Sequence, residues 1–207
     1  MIKGLKICGV SDLETLNFIL NHPHPPDFIG FITNYLESKR FVNYEKLEEL
    51  IKVDKKKVKF VSVLVNPTNE ILEKIKYLNF DFYQLYDVDP KRTMEIKDKY
   101  KIKVISALTI SNKKDVSRYE DYLKISDIIL FDSKGYHKSE SFDHSLLNEV
   151  PSKLNKMIAG NIQIDDIPNL KNKNFIIDLS GSIENNEGKK DLNKIDKLLN
   201  LFVKNET

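Results

Sequence analysis

The chain of 207 residues is 41% hydrophobic and 31% charged, and its formal net charge is only +2. No apolar run approaches the roughly 20 residues that cross a bilayer, and the lysines are interleaved with acidic residues, so we expect neither a membrane nor a nucleic acid as a partner. The single cysteine, Cys8, excludes an internal disulfide and a metal site built from several cysteines. Residues 1–10 lack the pattern of a signal peptide, so we expect a cytoplasmic protein. The length of the chain and the lack of a linker-like or low-complexity stretch predict one domain over residues 1–207.

Short apolar runs recur along the chain, and each is followed by a segment with helical periodicity. The runs are nearly continuous in Ile, Val, Leu and Phe, as expected of parallel strands that are buried on both faces. In chain order, the predicted strands are Leu5–Val10, Phe28–Ile32, Lys59–Val65, Phe80–Leu85, Val104–Leu108, Ile128–Phe131, Met157–Ala159 and Phe175–Leu179. The predicted helices are Asp12–Leu20, Tyr44–Ile51, Asn69–Leu78, Pro90–Tyr100, Asp115–Lys124, Asp143–Glu149, Ile164–Leu170 and Asp191–Phe202.

This alternation of strands and helices is compatible with a closed barrel or with an open, doubly wound sheet. The repeats are short and uniform, which favours the barrel. No Gly-x-Gly-x-x-Gly follows the first strand, so the usual mark of a dinucleotide-binding sheet is missing. The sequence therefore predicts an α/β fold, a single-domain (β/α)8 TIM barrel.

Polar residues at the C-terminal ends of the predicted strands are the first candidates for chemistry, because barrel enzymes carry their active sites on that face. Cys8 ends the first strand, where a thiolate could act as a base and a thiol could equally be a small buried hydrophobe. Asp132 ends the sixth strand, where burial tends to raise the pKa of a carboxyl group toward the range useful for proton donation. Asp178 stands equivalently in the eighth strand, and for both acids a turn cap is the alternative interpretation.

The loops after the seventh and eighth predicted strands indicate a phosphate site. In barrels that bind phosphate, these two loops and a short extra helix form the site through backbone amides and the helix dipole. Residues 184–190 could hold that extra turn. The small residues that let backbone amides approach an anion are Gly160, Asn161, Ser180, Gly181 and Ser182.

Several short motifs match those of one enzyme family, in the right order and over nearly the whole chain. Lys6–Gly9 matches that family's opening Lys-Ile-Cys-Gly, and Ser38–Val42 is similar to its Ser-Pro-Arg-Tyr-Val loop. The other matching segments are Val63–Asn66, Tyr83–Leu85, Leu130–Asp132, Phe142–His144, Ala159–Gly160, Asp178–Glu184 and Gly188–Asp191. Together these motifs resemble phosphoribosylanthranilate isomerase, the small barrel enzyme of tryptophan biosynthesis.

The resemblance implies an aldose-ketose isomerase, an intramolecular oxidoreductase that carries out an Amadori rearrangement of N-(5-phosphoribosyl)anthranilate. It implies that Asp132 is the general acid that opens the ribose ring and that Cys8 is the general base that removes the C2 proton. It also implies that Arg40 binds the anthranilate carboxylate, that Gln84 lines the site and that Asp178 contacts sugar hydroxyls. This chemistry needs no cofactor and no metal. Barrels of the family occur as monomers, dimers and fusions, so a monomer or a homodimer is expected.

Three departures from the family pattern keep other functions open. Tyr86-Asp87 stands where the family has His-Gly, which adds bulk and a negative charge at the barrel mouth. Residues 136–139 replace a glycine-rich loop, and Asn161 replaces a second glycine, which tightens its loop or forces a positive φ. The alternatives are a barrel that binds a phosphorylated ligand without catalysis, and an isomerase of another sugar phosphate, for which Tyr86 and His137 would remodel the pocket.

Overall fold

The computed structural model describes residues 2–133, 141–170 and 174–202, in which strands alternate with helices. The strands β1 to β8 are Gly4–Cys8, Phe28–Ile32, Lys59–Val65, Phe82–Tyr86, Lys103–Ile110, Ile128–Ser133, Lys156–Ile158 and Ile176–Leu179. The α-helices α1 to α7 are Leu13–Asn21, Tyr44–Ile51, Asn69–Ile75, Pro90–Tyr100, Lys113–Ser117, Ile167–Leu170 and Leu192–Leu201. Short 3-10 helices cover Arg118–Tyr122, His144–Glu149, Ile164–Asp166 and Gly181–Ile183. Within these described ranges, no helix is long and apolar enough to cross a membrane.

The strands close into a barrel. Each strand pairs in parallel with the next, and β8 pairs in parallel with β1. The register places Lys6 beside Asp178 across β1 and β8, and Thr109 beside Asp132 across β5 and β6. The predicted (β/α)8 barrel is confirmed.

Two apolar layers form the core, because successive residues of a strand point to opposite faces of the sheet. One layer fills the barrel and includes Cys8, Val63, Tyr86, Leu130 and Met157. The other layer lies between the strands and the surrounding helices, and it is the larger of the two. The residues that end strands on the inner layer therefore face the mouth of the barrel.

Aspartates at the N-terminal ends of three strands tie neighbouring strands together. Each of these residues directly precedes an even-numbered strand, and its Oδ2 accepts a hydrogen bond from a backbone N–H of the odd-numbered strand before it. The three pairs are Asp27 with Leu5 at 2.9 Å, Asp81 with Phe60 at 2.8 Å and Asp127 with Val104 at 2.8 Å. These contacts lie at the end of the barrel away from the strand C-termini, the end that serves stability.

The predicted helix Asp115–Lys124 is wrong in both its start and its type. It is α5 from Lys113 to Ser117, followed by a 3-10 helix. The helix starts early because Asn112 caps its N-terminus, and Asp115 completes a capping box.

Two further predicted helices are tighter than expected. The segment predicted as the helix Asp143–Glu149 forms a 3-10 helix, whose N-terminus Asp143 caps. The segment is short because Pro151 follows closely. A 3-10 helix suits a short segment because each of its hydrogen bonds spans only three residues. The predicted helix Ile164–Leu170 begins as a 3-10 turn and continues as α6.

Candidate active site

One cavity at the C-terminal mouth of the barrel brings together every predicted site residue except Gln84. Its lining includes Cys8, Arg40, Asp132, Gly160, Asn161, Asp178, Ser180, Gly181 and Ser182. Tyr86, at the end of β4, lines the same cavity. The strand ends and the last two loops thus converge as the sequence predicts.

Gln84 lies below this cavity, two residues before Tyr86 on β4. It is fully buried, and its Nε2 donates to the Tyr86 hydroxyl at 3.2 Å. Its Oε1 has no hydrogen-bond partner among the described residues. Contact between Gln84 and a substrate stays a prediction.

Cys8 lies next to a buried ion pair. Lys6, two residues earlier on β1, is fully buried, and its Nζ donates to Oδ2 of Asp178 at 2.7 Å. A Cβ atom at Gly30 would lie 3.0 Å from Cys8 Sγ and 3.1 Å from Lys6 Nζ, so glycine makes room for both groups.

The charge of Lys6 makes the Cys8 thiolate easier to form. Burial alone would lower the pKa of Lys6, but Asp178 raises it above its usual value, so the amine stays protonated. Burial raises the pKa of the Cys8 thiol, and the positive charge of Lys6 opposes that rise. A thiol beside a fixed cation can serve as a proton acceptor in its thiolate form.

Asp132 has both carboxyl oxygens hydrogen-bonded. Its Oδ1 accepts from the N–H of Ser133 at 2.8 Å, and its Oδ2 accepts from the hydroxyl of Tyr86 at 2.7 Å. Burial raises the pKa of Asp132 to about 6, and the hydrogen bond from Tyr86 opposes that rise. A carboxyl group with this pKa is partly protonated near neutral pH, as a general acid must be.

Arg40 reaches the cavity from the loop after β2 and is held by an acidic side chain. Its Nε and Nη2 both donate to the carboxylate of Glu184, the latter at 2.8 Å. Lys190 donates to the same carboxylate at 2.8 Å and to the carbonyl oxygen of Ser180 at 2.9 Å. Because a guanidinium group carries five N–H donors, Glu184 can fix its plane while other donors remain for a second anion.

The predicted phosphate corner has the backbone shape that its residues suggest. Gly160 has φ +92°, and a Cβ atom there would lie 3.1 Å from the ring of Phe142. Asn161 has φ 54°, so the positive φ predicted as one option for this residue is adopted. The Oγ of Ser182 is buried and has no hydrogen-bond partner within the described ranges, which leaves it open to a ligand.

The extra turn predicted within residues 184–190 is wrong. The turn beside the phosphate corner is the 3-10 helix Gly181–Ile183, directly after β8. Residues 184–190 instead fold back on themselves, with an antiparallel bridge between Glu184 and Lys190. Gly188, with φ +78°, makes this reversal possible.

Four residues of the site carry no assigned role in the sequence-based prediction: Lys6, Tyr86, Glu184 and Lys190. A signal exists for Lys6, because a lysine two residues before Cys8 in an apolar strand must point into the barrel with it. Tyr86 is predicted as added bulk at the mouth and, for another sugar phosphate, as a residue that remodels the pocket. Its contact with Asp132 is not predicted, because it joins two strands that are not neighbours. Asp87 lines a separate cavity beside β4 and β5. The altered loop 136–139 and His137 lie outside the described residues.

The fold and the site define a class of protein, a (β/α)8-barrel enzyme with acid and base groups at its mouth and a corner suited to phosphate. The family model described as N-(5'-phosphoribosyl)anthranilate (PRA) isomerase matches residues 5–201. The chain belongs to the phosphoribosylanthranilate isomerase family. It is therefore an isomerase, an intramolecular oxidoreductase that catalyses an Amadori rearrangement in tryptophan biosynthesis.

Individual relatives agree with the family assignment. The N-(5'-phosphoribosyl)anthranilate isomerase of Rhizobium rhizogenes is 31% identical over 207 residues, covering 95% of this chain and 92% of the relative. A phosphoribosyl anthranilate isomerase in complex with reduced 1-(o-carboxyphenylamino)-1-deoxyribulose 5-phosphate has a TM-score of 0.81 at 26% identity, covering 96% of this chain and 97% of that chain. A structure of monomers of the dimeric enzyme from Thermotoga maritima has a TM-score of 0.80 at 25% identity and the same coverage. These similarities favour the isomerase over a barrel without catalysis and over an isomerase of another sugar phosphate.

Proposed function

We propose that this chain isomerises N-(5-phosphoribosyl)anthranilate with Asp132 as the general acid and Cys8 as the general base. The observation that carries the proposal is that both groups line one cavity, from strands three positions apart around the closed barrel. Their surroundings suit these roles, since burial keeps Asp132 partly protonated near neutral pH, and the charge of Lys6 opposes the rise that burial causes in the pKa of Cys8.

The reaction proceeds through two proton transfers. Asp132 donates its proton to the ring oxygen of the ribose, the C1–O bond breaks, and the lone pair of the anilino nitrogen forms a protonated imine. The Cys8 thiolate then removes the proton from C2, and the electrons of the C–H bond neutralise the imine to give an enolamine. The enolamine tautomerises to the ketone, and the two side chains return to their starting protonation states by exchanging protons with solvent.

The remaining groups of the cavity match the polar parts of the substrate. Arg40 binds the anthranilate carboxylate with the N–H groups that Glu184 leaves unused. Asp178 accepts from a sugar hydroxyl with Oδ1, which has no hydrogen-bond partner in the described part of the chain. The phosphate group is bound by the loops that contain Gly160, Asn161, Ser180, Gly181 and Ser182. The reduced product analogue bound to the similar solved enzyme also combines a carboxyphenyl group, a sugar and a phosphate group.

We further propose a cytoplasmic protein that is a monomer or a homodimer. The proposed base is a free thiol, and a reducing compartment keeps it in the form that can accept a proton. The similar Thermotoga maritima enzyme is described as dimeric. Light scattering on the purified protein distinguishes the two assembly states.

The proposed roles are tested by turnover of freshly prepared phosphoribosylanthranilate, followed through the loss of its anthranilate fluorescence. Cys8→Ala and Asp132→Asn are each expected to lower kcat by about 10²- to 10⁴-fold, the usual contribution of a general acid or base. Affinity for the reduced product analogue, measured by calorimetry, should stay within about threefold, because neither change removes a predicted binding group. Asp165→Asn, at an exposed aspartate, is the control and should keep wild-type turnover. Wild-type kcat in either active-site variant would contradict its assigned role.

A further inference from the structure

The hydroxyl of Tyr86 lies between Gln84 and Asp132 in the wall of the cavity. It donates to Oδ2 of Asp132 at 2.7 Å and accepts from Nε2 of Gln84 at 3.2 Å. Both residues of β4 point into the barrel and are buried, with 8% of Tyr86 and 0% of Gln84 exposed. Because Gln84 donates to the phenol oxygen, the phenol hydrogen is directed at the carboxyl group of Asp132.

Tyr86 keeps its proton throughout the pH range in which the enzyme would be assayed. Burial, and then the negative charge of Asp132, raise the pKa of Tyr86 well above its usual value. The phenol is therefore a constant hydrogen-bond donor, whatever the protonation state of its partner.

Ionisable groups on other strands of the barrel act on Asp132 and Tyr86. Lys6 and Cys8 come from β1, and Asp178 comes from β8. Burial and the charge of Asp178 favour the protonated form of Asp132, whereas the Tyr86 hydrogen bond and the charge of Lys6 favour the carboxylate. Of these side chains, as far as the structure describes the chain, Tyr86 is the one that hydrogen-bonds directly to Asp132.

We propose that Tyr86 is a positioning residue for the acid step: its hydroxyl holds Oδ2 of Asp132 and stabilises the carboxylate that remains after the proton has moved to the substrate. The inference rests on the proposed role of Asp132 as the general acid. A hydrogen bond to a charged carboxylate is stronger than one to a neutral carboxyl group. The contact with Tyr86 therefore strengthens as the ring oxygen takes the proton, and an interaction that strengthens in this way lowers the barrier.

The test compares Tyr86→Phe with Tyr122→Phe. Tyr122 is the matched control, because it is also buried and its hydroxyl also donates a short hydrogen bond, to the carbonyl oxygen of Val88 at 2.8 Å. The titration of Asp132 is followed by 13C NMR on the substrate-free protein. Loss of the phenol donor is expected to raise the Asp132 midpoint by about one pH unit in Tyr86→Phe, and Tyr122→Phe should leave it unchanged.

Turnover gives the second measurement. At about pH 5, Asp132 is protonated in both the wild type and Tyr86→Phe. The ratio of their kcat/KM values therefore reports the loss of the Tyr86 hydrogen bond and not a change in the protonation of Asp132. We expect Tyr86→Phe to be about 10-fold slower there, which corresponds to the loss of one hydrogen bond in the transition state. The substrate phosphate also titrates near pH 6, but it affects all variants equally.

The outcomes separate this inference from the proposed function. In Tyr86→Phe, an unchanged titration midpoint of Asp132, or wild-type turnover at low pH, would overturn the inference. The proposed function would still stand in that case if Asp132→Asn is inactive. Absence of turnover in the wild-type protein would overturn both. If Tyr86→Phe does not fold, Gln84→Leu replaces it, since the amide that directs the phenol is then missing. A smaller upward shift of the Asp132 midpoint is expected in that variant, and no shift would count against the inference.

Discussion

Buried charges inside the barrel determine which protonation states the active site can reach. Lys6 and Asp178 are almost completely inaccessible to solvent, and their ion pair is 2.7 Å long. Removing one partner of such a pair leaves an uncompensated charge in a medium of low polarity, which is more costly than replacing both partners. The pair therefore supports the fold and, through the positive charge beside Cys8, the proposed chemistry.

We therefore expect a non-additive effect on stability when the partners of this ion pair are replaced. Lys6→Met should lower the free energy of unfolding by about 3 to 5 kcal/mol, because Asp178 is left buried without its cation. The double variant Lys6→Met/Asp178→Asn should regain a large part of that loss, since no isolated charge remains. Urea denaturation of the wild type, Lys6→Met, Asp178→Asn and the double variant measures both values. Equal stability of Lys6→Met and the wild type would rule out this account of the pair.

The two ends of each strand have different tasks. At the N-terminal ends, Asp27, Asp81 and Asp127 connect neighbouring strands through backbone N–H groups. At the C-terminal ends, Cys8 and Asp132 face the cavity. A change at the first end should therefore affect stability without affecting catalysis.

Asp127→Ala tests this division. The variant loses the hydrogen bond from Val104 and the ion pair with Lys97, at 2.8 Å each. Its free energy of unfolding should fall by about 1 to 2 kcal/mol, while kcat stays at the wild-type value under native conditions. The control Asp165→Ala breaks an exposed ion pair with Lys197 and should change stability by less than about 0.5 kcal/mol. A strong loss of kcat in folded Asp127→Ala would show that the two ends are coupled.

For the molecule as a whole, the fold could be predicted because each strand is a compact apolar run followed by a segment with helical periodicity. Cys8, Asp132 and the glycine-containing loops could be found because strand ends are visible in the sequence. The contacts Tyr86–Asp132 and Arg40–Glu184 could not be predicted from the sequence, because each contact joins segments that meet only when the barrel closes. The 3-10 helix at His144–Glu149 was missed for a similar reason, since so short a segment takes its shape from its surroundings as much as from its own sequence.

In the proposed reaction, one barrel mouth combines an acid and a base for the isomerisation of phosphoribosylanthranilate. The reactive form needs protonated Asp132 together with the Cys8 thiolate. Below the pKa of Asp132, the acid is already fully protonated and each further drop in pH only removes thiolate, so the rate must fall toward low pH.

The most direct test is kcat/KM of the purified wild-type protein for phosphoribosylanthranilate, measured from about pH 5 to about pH 10. Because burial raises the pKa of Asp132 to about 6, we expect kcat/KM to rise with pH to a plateau, with the midpoint of the rise near that value. Burial also raises the pKa of Cys8, so the decline at high pH should begin above the usual range of a thiol. Loss of fluorescence no faster than the spontaneous hydrolysis of the substrate, at every pH, would rule out the proposed isomerisation.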